Sequence, residues 1–135
     1  MPYITRRKVR FQHCDPAAIV FYPRYFEMIN SVIEDYFAEV VEVDFRAMHV
    51  ERHVGVPTVS IETHFHAPSH LGDELEFSLE PTAVGTTSLT LSIRACCGDE
   101  ARLSCQSTLV FVDMDSGRPI PWPDAMRQRL VSELA

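Results

Sequence analysis

From Tyr25 to Val41 the apolar positions return every three or four residues. Tyr25/Phe26, Ile29, Val32/Ile33, Tyr36/Phe37 and Val40/Val41 are separated by Glu27, Asn30, Glu34, Asp35 and Glu39. That period predicts an amphipathic helix of about five turns opening at Pro23, where a missing N–H costs no intrahelical bond. Its stripe is wide and calls for extensive cover. A shorter helix is expected over Asp44 to His53.

From Val56 the period changes to two. Val59, Ile61, Thr63, Phe65 and Ala67 alternate with Thr58, Ser60, Glu62, His64 and His66. Leu75, Phe77 and Leu79 alternate with Glu74, Glu76, Ser78 and Glu80. After Gly85 come Leu89, Leu91, Ile93 and Ala95, and after Gly98-Asp99 come Ala101, Leu103, Cys105, Ser107, Leu109 and Phe111. These are four long strands joined by turns, and they predict an antiparallel meander with one wet face. An earlier strand is expected over Ile4 to Phe11, and a last helix over Pro123 to Leu134 after the breakers Gly117, Pro119 and Pro121. The packing solution is α+β: a curved, five-stranded antiparallel sheet wrapped around the long helix. A second copy is the simplest cover for an open sheet edge.

Composition narrows this further. At 135 residues and 46% hydrophobic content the chain fits one domain, 1–135, and is not disordered. The net charge of −7 argues against a duplex nucleic-acid binder, which needs a basic face. Eleven of the twelve basic residues are Arg, suited to bidentate contact with phosphate or carboxylate. No stretch reads as a signal peptide or a membrane span, so the chain is expected to be cytoplasmic, with reduced thiols. Cys14, Cys96, Cys97 and Cys105 form no CxxC pair and are expected to be small buried apolar residues.

Serine-hydrolase, P-loop and Rossmann signatures are absent. His64, His66 and His70 have no acidic or cysteine partner at a ligand spacing and read as surface or interface histidines. Asp15-Pro16-Ala17-Ala18-Ile19-Val20-Phe21-Tyr22-Pro23 is different, because it carries a loop aspartate directly into a helix start. Free N–H groups near Tyr22 to Arg24 can hold a carbonyl oxygen as negative charge develops on it. An ionised aspartate beside them could attack that carbonyl or deprotonate a water, or it could simply start the turn before Pro16. His13, if the stretch is extended, points to the same side as Asp15 and could assist a proton transfer, or it could be an exposed or hydrogen-bonding loop histidine, the commoner case.

The run His13-Cys14-Asp15-Pro16-Ala17-Ala18-Ile19-Val20-Phe21-Tyr22-Pro23-Arg24-Tyr25-Phe26 resembles the signature of the 4-hydroxybenzoyl-CoA thioesterase family, whose fold is the hotdog. The likeness continues through Val54-Gly55-Val56-Pro57-Thr58-Val59-Ser60 and through Phe65 to Leu75, including Gly72-Asp73. It implies hydrolysis of an aryl- or short acyl-CoA thioester, with Asp15 as nucleophile or general base. The Tyr22 backbone N–H would polarise the carbonyl, and Thr58, Val59 and Ser60 would line the acyl pocket. It implies no metal or organic cofactor, and a homodimer or homotetramer with active sites between subunits.

Two departures from the family pattern matter. Ala18 stands where the aryl branch often has Gly, which should crowd the loop slightly. The cations expected before Ser88 for the CoA phosphates are replaced by Val84-Gly85-Thr86-Thr87, so phosphate binding either shifts to other arginines, with Arg24, Arg46 and Arg94 as candidates, or is weaker. Tyr22, where a related branch has His, points toward the aryl-CoA branch. Two other readings compete. A hotdog acyl dehydratase is disfavoured because the long helix holds no His. A non-catalytic acyl-CoA sensor, or a module docking on acyl-carrier protein, would bind without releasing product, and the −7 charge disfavours docking on an acidic carrier.

Overall fold

The computed structural model describes all of residues 1–135. In chain order the elements are β1 (Tyr3–Lys8), α1 (Pro23–Tyr36), β2 (Val54–Gly55), β3 (Thr58–Phe65), β4 (Glu74–Val84), β5 (Ser88–Cys97), β6 (Glu100–Val110), β7 (Val112–Asp113) and α2 (Asp124–Ser132). Five strands form one antiparallel sheet in the order β1-β4-β5-β6-β3, and β2 pairs separately with β7. No helix is long and apolar enough to cross a membrane.

α1 buries Tyr25, Met28, Ile29, Val32, Ile33 and Tyr36 and runs on into a π-helical turn over Phe37–Val41. That turn ends at Glu42, whose φ of +65° stops the helix with a left-handed residue. Against it lie Leu75, Phe77 and Leu79 of β4, Leu89, Leu91, Ile93 and Ala95 of β5, and Leu103, Cys105 and Leu109 of β6, all buried. Each fully buried Leu, Ile or Phe among them stabilises the fold by about 1.5–3 kcal/mol relative to exposure. This is the wrapped helix that the periodicity predicts.

The structure corrects the expected meander. β4, β5 and β6 follow one another, but β3 does not neighbour β4; it crosses to the far edge and pairs with β6, Ile61 opposite Ser107 and Thr63 opposite Cys105. Residues 66–73 make that crossing and are too many for a tight hairpin turn. They are also anchored near β1, because Val9 N–H donates to Asp73 O at 2.8 Å and Gly72 N–H to Val9 O at 2.9 Å.

Three smaller expectations also change. The first strand stops at Lys8, and Phe11–His13 form a short 3-10 turn with Phe11 exposed. The second helical segment is a π turn over Ala47–Arg52. Of the cysteines only Cys105 is buried, while Cys14, Cys96 and Cys97 are half-buried, the adjacent pair sitting beside a bulge at the end of β5.

Candidate active site

The aspartate loop is a small hairpin. Ala18 N–H donates to Asp15 O at 2.9 Å, which closes a β-turn with Asp first and Pro second, the residues that favour this turn. Ala18 follows with φ +64°, and Asp15 N–H donates to Ile19 O at 3.0 Å. A β-turn followed by one left-handed residue is a common three-residue hairpin connection. The cost of Ala18 at this place is therefore a backbone one, rather than the crowding expected from the sequence. The pairing continues outward, with a Cys14–Val20 bridge and Phe21 N–H donating to His13 O at 2.9 Å.

Asp15 is half-buried, and its Oδ1 accepts the Ala17 N–H at 2.8 Å. Its Oδ2 has no protein partner. The side chain lines a recess of about 330 Å³ with Phe11, Cys14, Pro16, Ala18 and Leu71. The turn thus occupies one oxygen of the carboxylate and leaves the other free.

The helix start carries one unspent main-chain donor. Pro23 has no N–H, Arg24 N–H donates to Phe21 O at 2.8 Å, and Tyr25 N–H donates to Tyr22 O at 3.1 Å. Tyr22 N–H has no acceptor in the protein, although its residue already has helical dihedrals of −52° and −33°. Of the stretch Tyr22 to Arg24, only Tyr22 keeps a free donor. Ile19, paired with Asp15, precedes Tyr22 by three residues, on the order of 10 Å of extended chain.

The loop is held from behind by the crossover. Val20 N–H donates to Ser69 O at 2.9 Å and Leu71 N–H to Ala18 O at 3.1 Å. The crossover is pinned in turn at Asp73, whose Oδ2 accepts from Arg102 Nη1 at 2.7 Å and from His70 N–H at 2.9 Å. The Arg102 bond, followed by the His70 N–H, holds the Asp73 carboxyl below its ordinary value.

The other predicted residues scatter within the protomer. His13 lies in the 3-10 turn rather than an extended stretch. Its Nδ1 accepts Arg10 N–H at 2.8 Å, so its ring lines a separate recess and is not brought to Asp15. Burial pulls its pKa below the ordinary value, and nearby Arg10 and Arg24 act in the same direction against Glu27. Thr58, Val59 and Ser60 are exposed on β3 and do not line the Asp15 recess. Thr58 borders a different cavity of about 450 Å³ with Asn30, Phe45, His49, Pro57 and Leu109. Arg24 stands at the helix start, paired with Glu27 at 2.9 Å, whereas Arg94 lies on the outer face of β5 and Arg46 is exposed before the second helical segment. His64 faces Glu62, His66 faces Ser104 and His70 faces Asp73, three separate partners.

Two features escape a residue-by-residue reading. An aromatic group surrounds the helix start: Phe65 lies 5.5 Å from Tyr25 and 6.5 Å from Tyr22, which is 5.6 Å from Phe21 (ring centroids). A recess of about 620 Å³ beside it is lined by Arg6, Arg7, Lys8, Arg10 and Arg24. The clustering of cations over residues 6–10 was visible in the sequence; their meeting with Arg24 needed the fold.

Residues 9–130 match the family model described as the thioesterase-like superfamily. The 1,4-dihydroxy-2-naphthoyl-CoA hydrolase of Synechococcus elongatus is 22% identical over 129 residues, covering 95% of this chain and 94% of that protein. The 4-hydroxybenzoyl-CoA thioesterase of a Pseudomonas species is 32% identical over 71 residues, covering 52% of this chain and 50% of that one. Among solved structures, a 1,4-dihydroxy-2-naphthoyl-CoA thioesterase from Synechocystis superposes with a TM-score of 0.88 at 16% identity, covering 97% of this chain and 96% of that one. The last likeness is one of fold, and the fold is the hotdog.

Proposed function

This chain belongs to the thioesterase-like superfamily, and from that premise we propose that it is an acyl-CoA thioesterase, one domain over residues 1–135, acting on aryl-CoA or short acyl-CoA in the cytoplasm. The reading is supported by a carboxylate oxygen left free at Asp15 and a main-chain donor left free at Tyr22, seven residues on at the start of α1.

The thioester carbonyl oxygen accepts the Tyr22 N–H at the positive end of α1, which stabilises the negative charge that forms on attack. Asp15 Oδ2 then acts in one of two ways. As nucleophile it bonds to the acyl carbon, the C–S bond breaks, CoA leaves as its thiolate, and water opens the mixed anhydride to the free acid. As general base it takes a proton from a water that attacks the same carbon, and the C–S bond then breaks to release CoA as its thiolate, which takes up a proton. Either route consumes one water and yields carboxylic acid and CoA, drawing only on Asp15, the Tyr22 N–H and water.

The exposed rings of Phe21, Tyr22 and Phe65, backed by buried Tyr25, favour an aryl substrate, since a flat ring packs against such side chains. The reading includes an assembly of two or four chains with the active sites between subunits. Thr58, Val59 and Ser60 on the open edge, together with His13, would meet substrate across a subunit boundary. The test is thiol release over a panel of aryl, short and long acyl-CoA esters. Turnover that is highest on aryl or short esters is expected; binding of the panel with no thiol released would overturn the reading in favour of a sensor.

A further inference from the structure

The large basic recess lies where the free edge of β1 faces the side of α1 that carries Arg24, Glu27 and Ser31. Its cations are not equally committed. Arg7 is spent on Asp35, Ser31 and Thr5, Arg24 is paired with Glu27 at 2.9 Å, and Arg6 with Glu76 at 3.3 Å. Lys8 and Arg10 have no carboxylate within ion-pair distance. Five cations against three acids leave a surplus of two positive charges, in a chain whose net charge is −7.

Charged side chains on an open strand edge can serve to block edge-to-edge pairing, and Arg6 and Lys8 are placed for that. That purpose does not account for Arg10, which lies beyond the strand, or for Arg24, which comes from the helix. These two bring cations from different elements to one concavity. The concavity is also lined by Gln12 and His13, which lead into the Asp15 loop, and by Ser31, nine residues or about 13 Å along the helix from Tyr22. A CoA ester likewise carries its phosphates at a distance from its thioester.

We propose that the recess between β1 and α1 holds the phosphate groups of the CoA carrier, with Lys8 and Arg10 as the principal contacts and Arg24 beside them. This rests on the thioester reading and supplies the cations missing at Val84–Thr87. It also replaces Arg46 and Arg94, which line neither recess. Arg10 offers a planar fork that takes two phosphate oxygens, and Lys8 a point charge.

The test uses the whole chain and two readouts. Calorimetric titration with adenosine 3′,5′-bisphosphate, ADP and inorganic pyrophosphate reports binding without turnover. The wild type is expected to bind the bisphosphate in a salt-sensitive manner, and the K8A/R10A double variant to bind it at least about tenfold more weakly. R118A removes an exposed charge elsewhere and is expected to bind like the wild type. The second readout is kcat/KM for a CoA ester divided by that for the N-acetylcysteamine ester of the same acid. This ratio is expected to fall about tenfold in the double variant, through KM. Equal bisphosphate affinity in wild type and K8A/R10A, or none in the wild type, overturns the proposal. If neither ester is hydrolysed while K8A/R10A still loses the bisphosphate, the thioester reading fails and the phosphate recess stands.

Discussion

Asp15 Oδ1 accepts the N–H of Ala17 at 2.8 Å, so the candidate catalytic carboxylate is oriented by the turn that it builds. An amide at this position keeps that acceptor and loses only the charge on the other side. D15N is therefore expected to fold like the wild type, with a melting temperature within a few degrees, while kcat falls by about 10²–10⁴-fold. Thiol release and thermal unfolding on the same preparation check both halves. Wild-type turnover would remove Asp15 from the chemistry.

The same loop stores a small strain at Ala18, whose φ is +64°. A left-handed conformation costs an L-residue about 1–2 kcal/mol, and glycine returns part of that gain as chain entropy when the protein unfolds. A18G is expected to stabilise the fold by about 0.5–1 kcal/mol, whereas the β-branched A18V should destabilise it. Urea denaturation of the two variants gives both signs.

Much of this architecture is legible along the chain, for a physical reason. In β4, β5 and β6 every second residue is buried by α1, so Leu75, Phe77, Leu91 and Ile93 report their own environment. Pro23 likewise marks the helix start and, by lacking an N–H, helps to leave Tyr22 as the free donor. The place of β3 beside β6 is not legible, because period two says which face a residue takes and not which strand lies next to it. The Ala18 dihedral is hidden for a similar reason: Asp-Pro-Ala-Ala announces a turn but not the residue that absorbs the left-handed bend. The basic recess forms only when β1 and α1, well separated in sequence, lie side by side.

The Asp73–Arg102 bond predicts an acid limb in stability. The folded-state value of Asp73 lies below its ordinary one, chiefly because Arg102 donates to it at 2.7 Å. A depressed carboxylate contributes stability above its unfolded value, about 3.9, that is lost as the pH falls through its folded value. Urea midpoints from pH 7 to 3 should therefore decline at the acid end, and D73N should be less stable at neutral pH with a flatter acid limb. R102A leaves the carboxylate half-buried without its partner and should cost about 1–3 kcal/mol. An unchanged acid slope in D73N would remove this pair from the account.

The last prediction follows from β3. Ile61 is opposite Ser107 and Phe65 opposite Leu103, so both share the face that is buried on β6, yet they are 44% and 46% exposed. The helix that covers β4 to β6 does not fully cover β3. The strand's outer edge also leaves main-chain N–H and C=O groups without a sheet partner, since β6 occupies only one side. A long apolar edge in this state is a template for another strand, and the gatekeeping cations of this protein stand on β1 instead. A second copy pairing along β3 would cover Ile61, complete the edge bonds and bring Thr58, Val59 and Ser60 to the neighbour. I61K places a charge at that junction on a residue already open to solvent in the protomer, so the protomer's own core is spared. Sedimentation should give a dimer or tetramer for the wild type and shift I61K toward monomer. If the active site is shared, thiol release should fall in step with the assembly and recover as protein concentration is raised. A wild type that sediments as a monomer with full turnover would refute the shared site.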